Sequence, residues 1–211
     1  MHDETGFRII FLALCMGLFA IRFYYYAKVR LAGESVLVSR QAIQTQSSGM
    51  LALRATLFLG FVVAVIIYAV KPEWMRWFIL PLPPWLRWGG AVSGLVSLVL
   101  LVWVQHTLGR YWSSDLQLRE EHALVTGGPY RWVRHPMYAV TFMFLIALTL
   151  VSANALFAVG TVLALLLLWR RIDDEERMMV ARFGDDYRNY TKQSRAFAAA
   201  RHQGYRLARR S

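Results

Sequence analysis

The sequence predicts an all-α integral membrane protein with about five transmembrane helices, of which the last two form a C-terminal helical hairpin. Apolar residues make up 57% of the 211-residue chain. Several uncharged runs approach the roughly 20 residues that a helix needs to cross a bilayer. The formal charge of +11, from 24 basic and 13 acidic residues, falls mainly between and after these runs. Such placement is typical of a membrane protein whose basic loops set its topology.

The first half of the chain predicts three crossings, at residues 7–27, 50–70 and 86–106. The loop at 28–49 is rich in Gln, Ser and Thr, which do not suit a membrane interior. Residues 71–88 hold four of the six prolines and four tryptophans, a composition typical of an interfacial connector.

The next apolar run covers residues 137–169 and predicts the hairpin. It is too long for one crossing and short for two. Ser152, Ala153 and Asn154 interrupt it in the middle, so we expect two short antiparallel legs there. The two legs bring the number of crossings to five.

The distribution of Lys and Arg predicts the orientation. The loop at 28–49 has three, residues 108–135 have four and the chain from residue 170 onward has eleven, against four on the opposite side. By the positive-inside rule the C-terminus is cytoplasmic. Topology therefore accounts for much of the net charge, and no nucleic-acid-binding motif accompanies the basic residues.

Several chemistries are disfavoured by the residues. The single cysteine, Cys15, lies in an apolar span, so we expect neither a disulfide nor a thiolate metal site. Dinucleotide-binding, P-loop, hydrolase-elbow and zinc-protease motifs are missing from the sequence. We therefore predict no metal, no nucleic-acid partner and no obligate protein partner.

Two polar blocks flank the hairpin and must be neighbours in space, because a hairpin brings its ends together. In the first block, "HALVTGGPYRWVRHPMY", residues 122–126 read as an extended stretch closed by a Gly-Gly-Pro turn. Pro136 predicts a helix start preceded by Arg134 and His135. On the residues alone, these two side chains suit lipid phosphates as well as a ligand. Arg131 and Arg134 are expected to act as headgroup anchors.

The second block, "RRIDDEERMMVARFGDDYRNY", predicts an extension of the fifth helix over residues 169–183, ended by Gly184. Arg171, Glu175, Met178 and Arg182 recur at helical spacing and share one face. Acidic residues there are unexpected beside an anionic membrane surface. A solvated face with weak i,i+4 pairs is the alternative.

Together, "LGRYWS", "HALVTGGPYRWVRHPMY", about 30 apolar residues and "RRIDDEERMMVARFGDDYRNY" resemble the isoprenylcysteine carboxyl methyltransferase family. These membrane enzymes are related to phospholipid methyltransferases. The resemblance covers residues 108–195, so we divide the chain into N-terminal helices at 1–107, a methyltransferase core at 108–195 and a basic cytoplasmic tail at 196–211.

The resemblance implies S-adenosylmethionine as the methyl donor, bound in a pocket on the cytoplasmic side. It also implies a set of cofactor contacts: His122, Ala123, Leu124, Val125, Tyr130, His135, Pro136, Met137, Tyr138 and Glu175. One more polar contact is expected from either Asp115 or Gln117. Arg171 is the implied substrate-binding and catalytic arginine. Glu176 is a further catalytic candidate, because an amine or thiol acceptor would need a general base, for which Glu176 and His135 are the candidates.

The implied acceptor is lipophilic and enters laterally from the bilayer, with the carboxylate of a prenylated cysteine as the family's substrate, and membrane lipids are the other expected partners. A phospholipid amine or a small thiol is an open variant. The chain departs from the family pattern at Ala139-Val140 and after Arg195, both where an acceptor could enter. Two further alternatives are an NADPH-dependent sterol-type reductase and a non-catalytic lipid-binding protein.

Overall fold

The structure, a computed structural model, describes residues 2–31, 48–108 and 126–193. These residues form five α-helices and two short 3₁₀ helices. The α-helices are α1 (His2–Leu31), α2 (Ser48–Val70), α3 (Pro84–Leu108), α4 (Pro136–Ser152) and α5 (Ala155–Gln193). The 3₁₀ helices, Pro72–Phe78 and Gly128–Arg131, precede α3 and α4 respectively. The all-α prediction is confirmed for this part of the chain.

Four of the five helices are long and apolar enough to cross a membrane. Their candidate spans are Glu4–Leu31, Ala52–Val70, Pro84–Leu108 and Ala155–Lys192. The remaining predicted crossing is α4, an apolar helix of 17 residues. At 1.5 Å per residue it is about 25 Å long, slightly less than the hydrocarbon core of a typical bilayer.

The hairpin turn lies where the sequence predicts it. Helix α4 ends at Ser152, and Ala153 adopts the left-handed conformation with φ 46°. The Asn154 side-chain oxygen then accepts a hydrogen bond from the Leu156 N–H at 3.0 Å, which caps the start of α5. A single polar residue therefore starts the returning helix.

The connector before α3 fixes this turn from outside. The Asn154 amide donates to the carbonyl of Met75 at 3.1 Å, and the Leu80 N–H donates to the carbonyl of Ala153 at 2.7 Å. Asn154 is 1% exposed, so its hydrogen bonds are shielded from solvent. The connector and the hairpin turn therefore close the same end of the bundle.

Arg87 ties three helices together at that end. Its buried guanidinium forms an ion pair with Glu4 of α1 and donates to the carbonyl of Val151 of α4 at 3.1 and 3.2 Å. It also lies 4.0 Å from the ring centroid of Phe7. Arg87 is therefore a structural residue as well as one of the charges on that side of the predicted topology.

Small residues let α3 approach its neighbours closely. A Cβ atom added at Gly90 would lie 2.7 Å from the Cβ of Leu150, and one at Gly94 would lie 2.7 Å from Leu14. Without a hydrophobic driving force in lipid, such close van der Waals packing holds membrane helices together. The main buried cluster contains apolar residues from α1, α2, α4, α5 and the connector: Phe7, Phe11, Leu14, Cys15, Tyr68, Met75, Phe144, Leu148, Val151 and Phe157.

Replacing Asn154 should destabilise the bundle. Asn154→Ala removes the cap, worth about 1 kcal/mol, and leaves the Met75 carbonyl without this donor, at a further cost of about 1–3 kcal/mol. The thermal midpoint in detergent should fall by several degrees. Asn154→Asp keeps the capping oxygen and should lose less. The exposed Asn189→Ala is the control, and an equal loss in that variant would contradict the assignment.

Candidate functional site

The two polar blocks meet at the end of the bundle opposite Arg87. Helix α4 runs from Pro136 to the hairpin turn, so its first residues lie at the far end from that turn. Helix α5 returns beside α4 and carries Glu175 and Glu176 to the level of His135. The described parts of the two blocks therefore lie next to each other, as the hairpin predicts.

Local backbone geometry places His135 at the start of α4. Its φ of −121° and ψ of 61° are not helical, as expected for the residue before a proline. Its carbonyl accepts the N–H of Ala139 at 3.1 Å and so opens the helix. His135 is only 7% exposed, and its ring faces the acidic residues of α5.

Glu176 is the most heavily bonded side chain of the site. One carboxylate oxygen lies 2.7 Å from His135 Nε2, and the other accepts from Arg134 Nη1 at 3.0 Å. Tyr187 forms a third hydrogen bond with this carboxylate. Arg134, expected from the sequence to act as a headgroup anchor, therefore joins the turn before α4 to α5.

The environment of Glu176, which lies beyond the predicted crossing, favours its ionised form. Burial alone would raise the pKa of its carboxyl group, but the hydrogen bond from His135 and the charge of Arg134 outweigh that effect. The net result is a pKa below the ordinary value of 4.5. Glu176 is thus ionised and bonded to His135, Arg134 and Tyr187.

Glu175, its neighbour in sequence, is in a different state. Its Oε2 atom is buried and has no hydrogen-bond partner in the described structure. His135 Nδ1 lies 3.7 Å from this atom, which is too far for a hydrogen bond. Because an unpaired buried carboxylate oxygen is costly, this atom is available to a ligand that carries a donor or a positive charge.

Two tyrosines stand beside that carboxylate. The Tyr138 hydroxyl hydrogen-bonds to Glu175 and to Arg171, and its ring lies 5.7 Å from the ring of His135. Tyr130 precedes α4, and burial together with the charge of Glu175 raises its pKa above the ordinary value. Both rings therefore present neutral aromatic surface close to a carboxylate. Arg171 and Glu175, predicted to share a face, meet at Tyr138.

The chain after Gly184 adds residues that sequence reasoning did not assign to the site. Gly184, predicted to end the helix, has φ 52° and redirects α5, which continues to Gln193. This last segment returns Tyr187, which is 2% exposed, to Glu176. It also brings the Tyr190 hydroxyl to the carbonyl of Tyr130, at 2.6 Å. The tyrosine spacing in "DDYRNY" was the available signal.

The remaining predicted contacts fall into two groups. Pro136 is buried and Met137 half-buried at the start of α4, where Met137 packs against Leu101, Val104 and Val140. The other predicted contacts lie outside the described residues: His122, Ala123, Leu124, Val125, Asp115 and Gln117. No group of three metal-ligating side chains occurs within 2–31, 48–108 and 126–193.

Comparison with known proteins gives the site its context. Residues 91–181 match the model of the isoprenylcysteine carboxyl methyltransferase (ICMT) family. A protein-S-isoprenylcysteine O-methyltransferase from Xenopus laevis is 34% identical over 51% of this chain and 38% of its own length. One from Dictyostelium discoideum is 28% identical over 56% and 52% respectively. The chain thus spans about half or less of the length of these relatives.

A solved structure shows a similar fold. It is the structure of the eukaryotic intramembrane Ras methyltransferase ICMT. The superposition has a TM-score of 0.54 and covers 89% of this chain and 66% of the ICMT chain. The sequence identity is 22%, so the likeness concerns the arrangement of the helices.

Neutralising Glu176 should change stability in a pH-dependent way. Because the native pKa is lowered, the stabilising contribution is fully present above the ordinary value of 4.5 and is lost as the pH falls through the native pKa. Glu176→Gln should therefore lower the thermal midpoint near pH 7, and the difference from the wild type should shrink below about pH 4.

The control for this pH series is Asp185→Asn, since the Asp185 side chain is 84% exposed and pairs with the exposed Arg188 in the part of the chain that the structure describes. Its midpoint should follow that of the wild type at every pH. A gap between wild type and Glu176→Gln that stayed constant down to pH 3 would show that Glu176 does not titrate as described.

Proposed function

We propose that this chain, whose residues 91–181 match the isoprenylcysteine carboxyl methyltransferase family, transfers a methyl group from S-adenosylmethionine to a lipophilic acceptor. The observation that carries the proposal is the unpaired, buried Oε2 atom of Glu175 beside Tyr130 and Tyr138. A carboxylate and two aromatic faces suit a ligand with positive charges, and the cofactor has a sulfonium and an ammonium group.

The proposed cofactor residues are those implied by the family motif. Among the described ones, Tyr130, His135, Pro136, Met137, Tyr138 and Glu175 surround the start of α4. The N-terminus of α4 favours an anion, so it suits the carboxylate of the cofactor. We assign the extended stretch His122, Ala123, Leu124 and Val125 to the same ligand on the motif alone. When bound, S-adenosylmethionine supplies the electrophilic methyl group.

Arg171 is proposed to orient the acceptor. Its guanidinium hydrogen-bonds to the Tyr138 hydroxyl, to which Glu175 also bonds, so it stands next to the cofactor-binding carboxylate. A guanidinium can hold an acceptor carboxylate by two parallel hydrogen bonds and fix its line of approach. An ionised carboxylate needs no general base, and positioning then supplies much of the acceleration.

Glu176 is better suited to positioning than to proton transfer. Its two oxygens already bind His135 and Arg134, and its lowered pKa makes it a weak base near neutral pH. We therefore assign it to holding His135 and the start of α4 against α5. This assignment favours an acceptor that arrives ionised over an amine or thiol that must lose a proton.

The acceptor is proposed to be the carboxylate of a prenylated cysteine, the substrate class in the names of the relatives. Exposed apolar side chains line the outside of α2 and α5, including Phe58 and Leu59 on α2 and Val159 and Leu166 on α5. A prenyl chain can therefore reach the site from the bilayer, while the cofactor enters from water. We place the site and the C-terminus on the cytoplasmic side from the distribution of basic residues.

Calorimetry with S-adenosylhomocysteine tests the cofactor assignment on detergent-purified protein. Glu175→Gln should weaken binding at least tenfold, because the ammonium or ribose partner loses a charge-assisted hydrogen bond. Asp174→Asn removes a neighbouring exposed acid on the same helix and should leave the affinity within twofold.

Turnover of a prenylcysteine acceptor separates the role of Arg171 from that of Glu175. Arg171→Met should leave S-adenosylhomocysteine binding nearly unchanged and lower kcat/KM at least a hundredfold. Normal turnover in this variant would reject its role. The absence of S-adenosylhomocysteine binding to folded wild-type protein would reject the proposed function as a whole.

A further inference from the structure

Gln105 of α3 is a fully buried polar side chain that the proposed function does not use. It is 0% exposed, and neither its amide nitrogen nor its amide oxygen has a hydrogen-bond partner among the described residues. Buried amides in native proteins are nearly always bonded, so an exception calls for an explanation. In a helix that crosses a membrane, the explanation is most often functional.

The helix register places Gln105 beside the proposed methyl-transfer site. Gly94 of α3 contacts Ala147 of α4, and the two helices run in opposite directions. Counting the same number of residues from that contact along each helix sets Gln105 opposite Pro136, the first residue of α4. Tyr130 packs against the same cluster, formed by Leu101, Val104 and Val140, while its hydroxyl is influenced by Glu175. Gln105 and Glu175 are therefore both close to the start of α4.

A positive charge lies at the same level on α1. Leu18 and Ile21 pack against the cluster, and the Tyr25 hydroxyl donates to the carbonyl of Val102 at 3.3 Å. Arg22 shares this helical face and is half-buried. Within the described residues it forms no ion pair or hydrogen bond.

We propose that Arg22 and Gln105 bind the oxyanion of a membrane-resident ligand, a carboxylate or a phosphate, on the α1 side of Tyr130. The guanidinium supplies charge and paired donors, and the Gln105 amide nitrogen supplies a neutral donor. The nearby N-terminus of α4 also favours an anion. The amide oxygen remains free to accept a hydrogen bond from an N–H or hydroxyl group of the same ligand.

The bilayer offers two sources for such a group. One is an acceptor of the prenylcysteine class, whose carboxylate would bind here before or after it reaches Arg171. The other is a phospholipid, whose phosphate would occupy the subsite as a fixed lipid. Since Arg22 is half-buried whereas Gln105 is enclosed, the ligand reaches the pair from the membrane along α1.

Binding to the detergent-purified full chain, without cofactor, tests the subsite. The variants are Gln105→Leu, which keeps the approximate volume, and Arg22→Met, which keeps an apolar stem. Their controls are His106→Leu and Arg30→Met, because both of these residues are exposed on the same two helices. The probes are radiolabelled N-acetyl-S-farnesylcysteine with its methyl ester, and phosphatidylglycerol with diacylglycerol.

Each variant should weaken the binding of one anionic probe, N-acetyl-S-farnesylcysteine or phosphatidylglycerol, about tenfold. The affinity for the matching neutral probe, the methyl ester or diacylglycerol, should not change. A loss confined to farnesylcysteine identifies the acceptor, and a loss confined to phosphatidylglycerol identifies a bound phospholipid. Unchanged affinity for both anionic probes in both variants overturns the proposal. Arg22→Lys keeps the charge and should retain most of the affinity.

Stability gives a second readout that a merely structural residue would not produce. Because its amide is unpaired, Gln105→Leu should raise the thermal midpoint of the ligand-free protein while it weakens ligand binding. A lower midpoint would show that the amide has a structural partner and would overturn the inference. These measurements need no cofactor, so failure to bind S-adenosylhomocysteine would count against the methyltransferase function alone.

Discussion

The hairpin turn at residues 152–154 is the constraint on which the site depends. It reverses the chain so that α5 runs back along α4 and returns two acidic residues to the helix start that carries His135. Asn154 controls the reversal because its side chain caps α5 and also bonds to the connector before α3. A rotation of α5 about this turn would move Glu175 and Glu176 together, at the opposite end of the bundle.

At that opposite end, the adjacent carboxylates of Glu175 and Glu176 have different roles because their surroundings differ. Glu176 is satisfied by His135, Arg134 and Tyr187, and it joins the two helices. Glu175 keeps an oxygen that is buried and unpaired. The bonds of Glu176 hold α4 and α5 in register and so help to offset the cost of leaving Glu175 incomplete. A ligand that completes Glu175 would gain that free energy on binding.

Much of this arrangement follows from the sequence, because its determinants are local. The interruption at Ser152–Asn154, the proline after His135 and the four acids from Asp173 predict a composite site. The sequence did not predict that Arg134 pairs with Glu176, that Tyr187 bonds to Glu176 or that Tyr190 bonds to the carbonyl of Tyr130. The two tyrosine contacts depend on the direction the chain takes at Gly184, where a positive φ redirects the helix. Helical periodicity does not encode the direction of that bend.

The sequence pattern also did not predict that Arg87 and Gln105 are buried. These two residues lie at opposite ends of the bundle and differ in their partners. Arg87 has a carboxylate, a carbonyl and an aromatic ring as partners, so its burial is satisfied within the protein. Arg22 and Gln105 lie at the other end without such partners in the described structure. A polar group that is buried without a partner is costly wherever it lies. The unsatisfied polar groups therefore concentrate at the end that holds Glu175, as expected if that end completes its bonding with ligands.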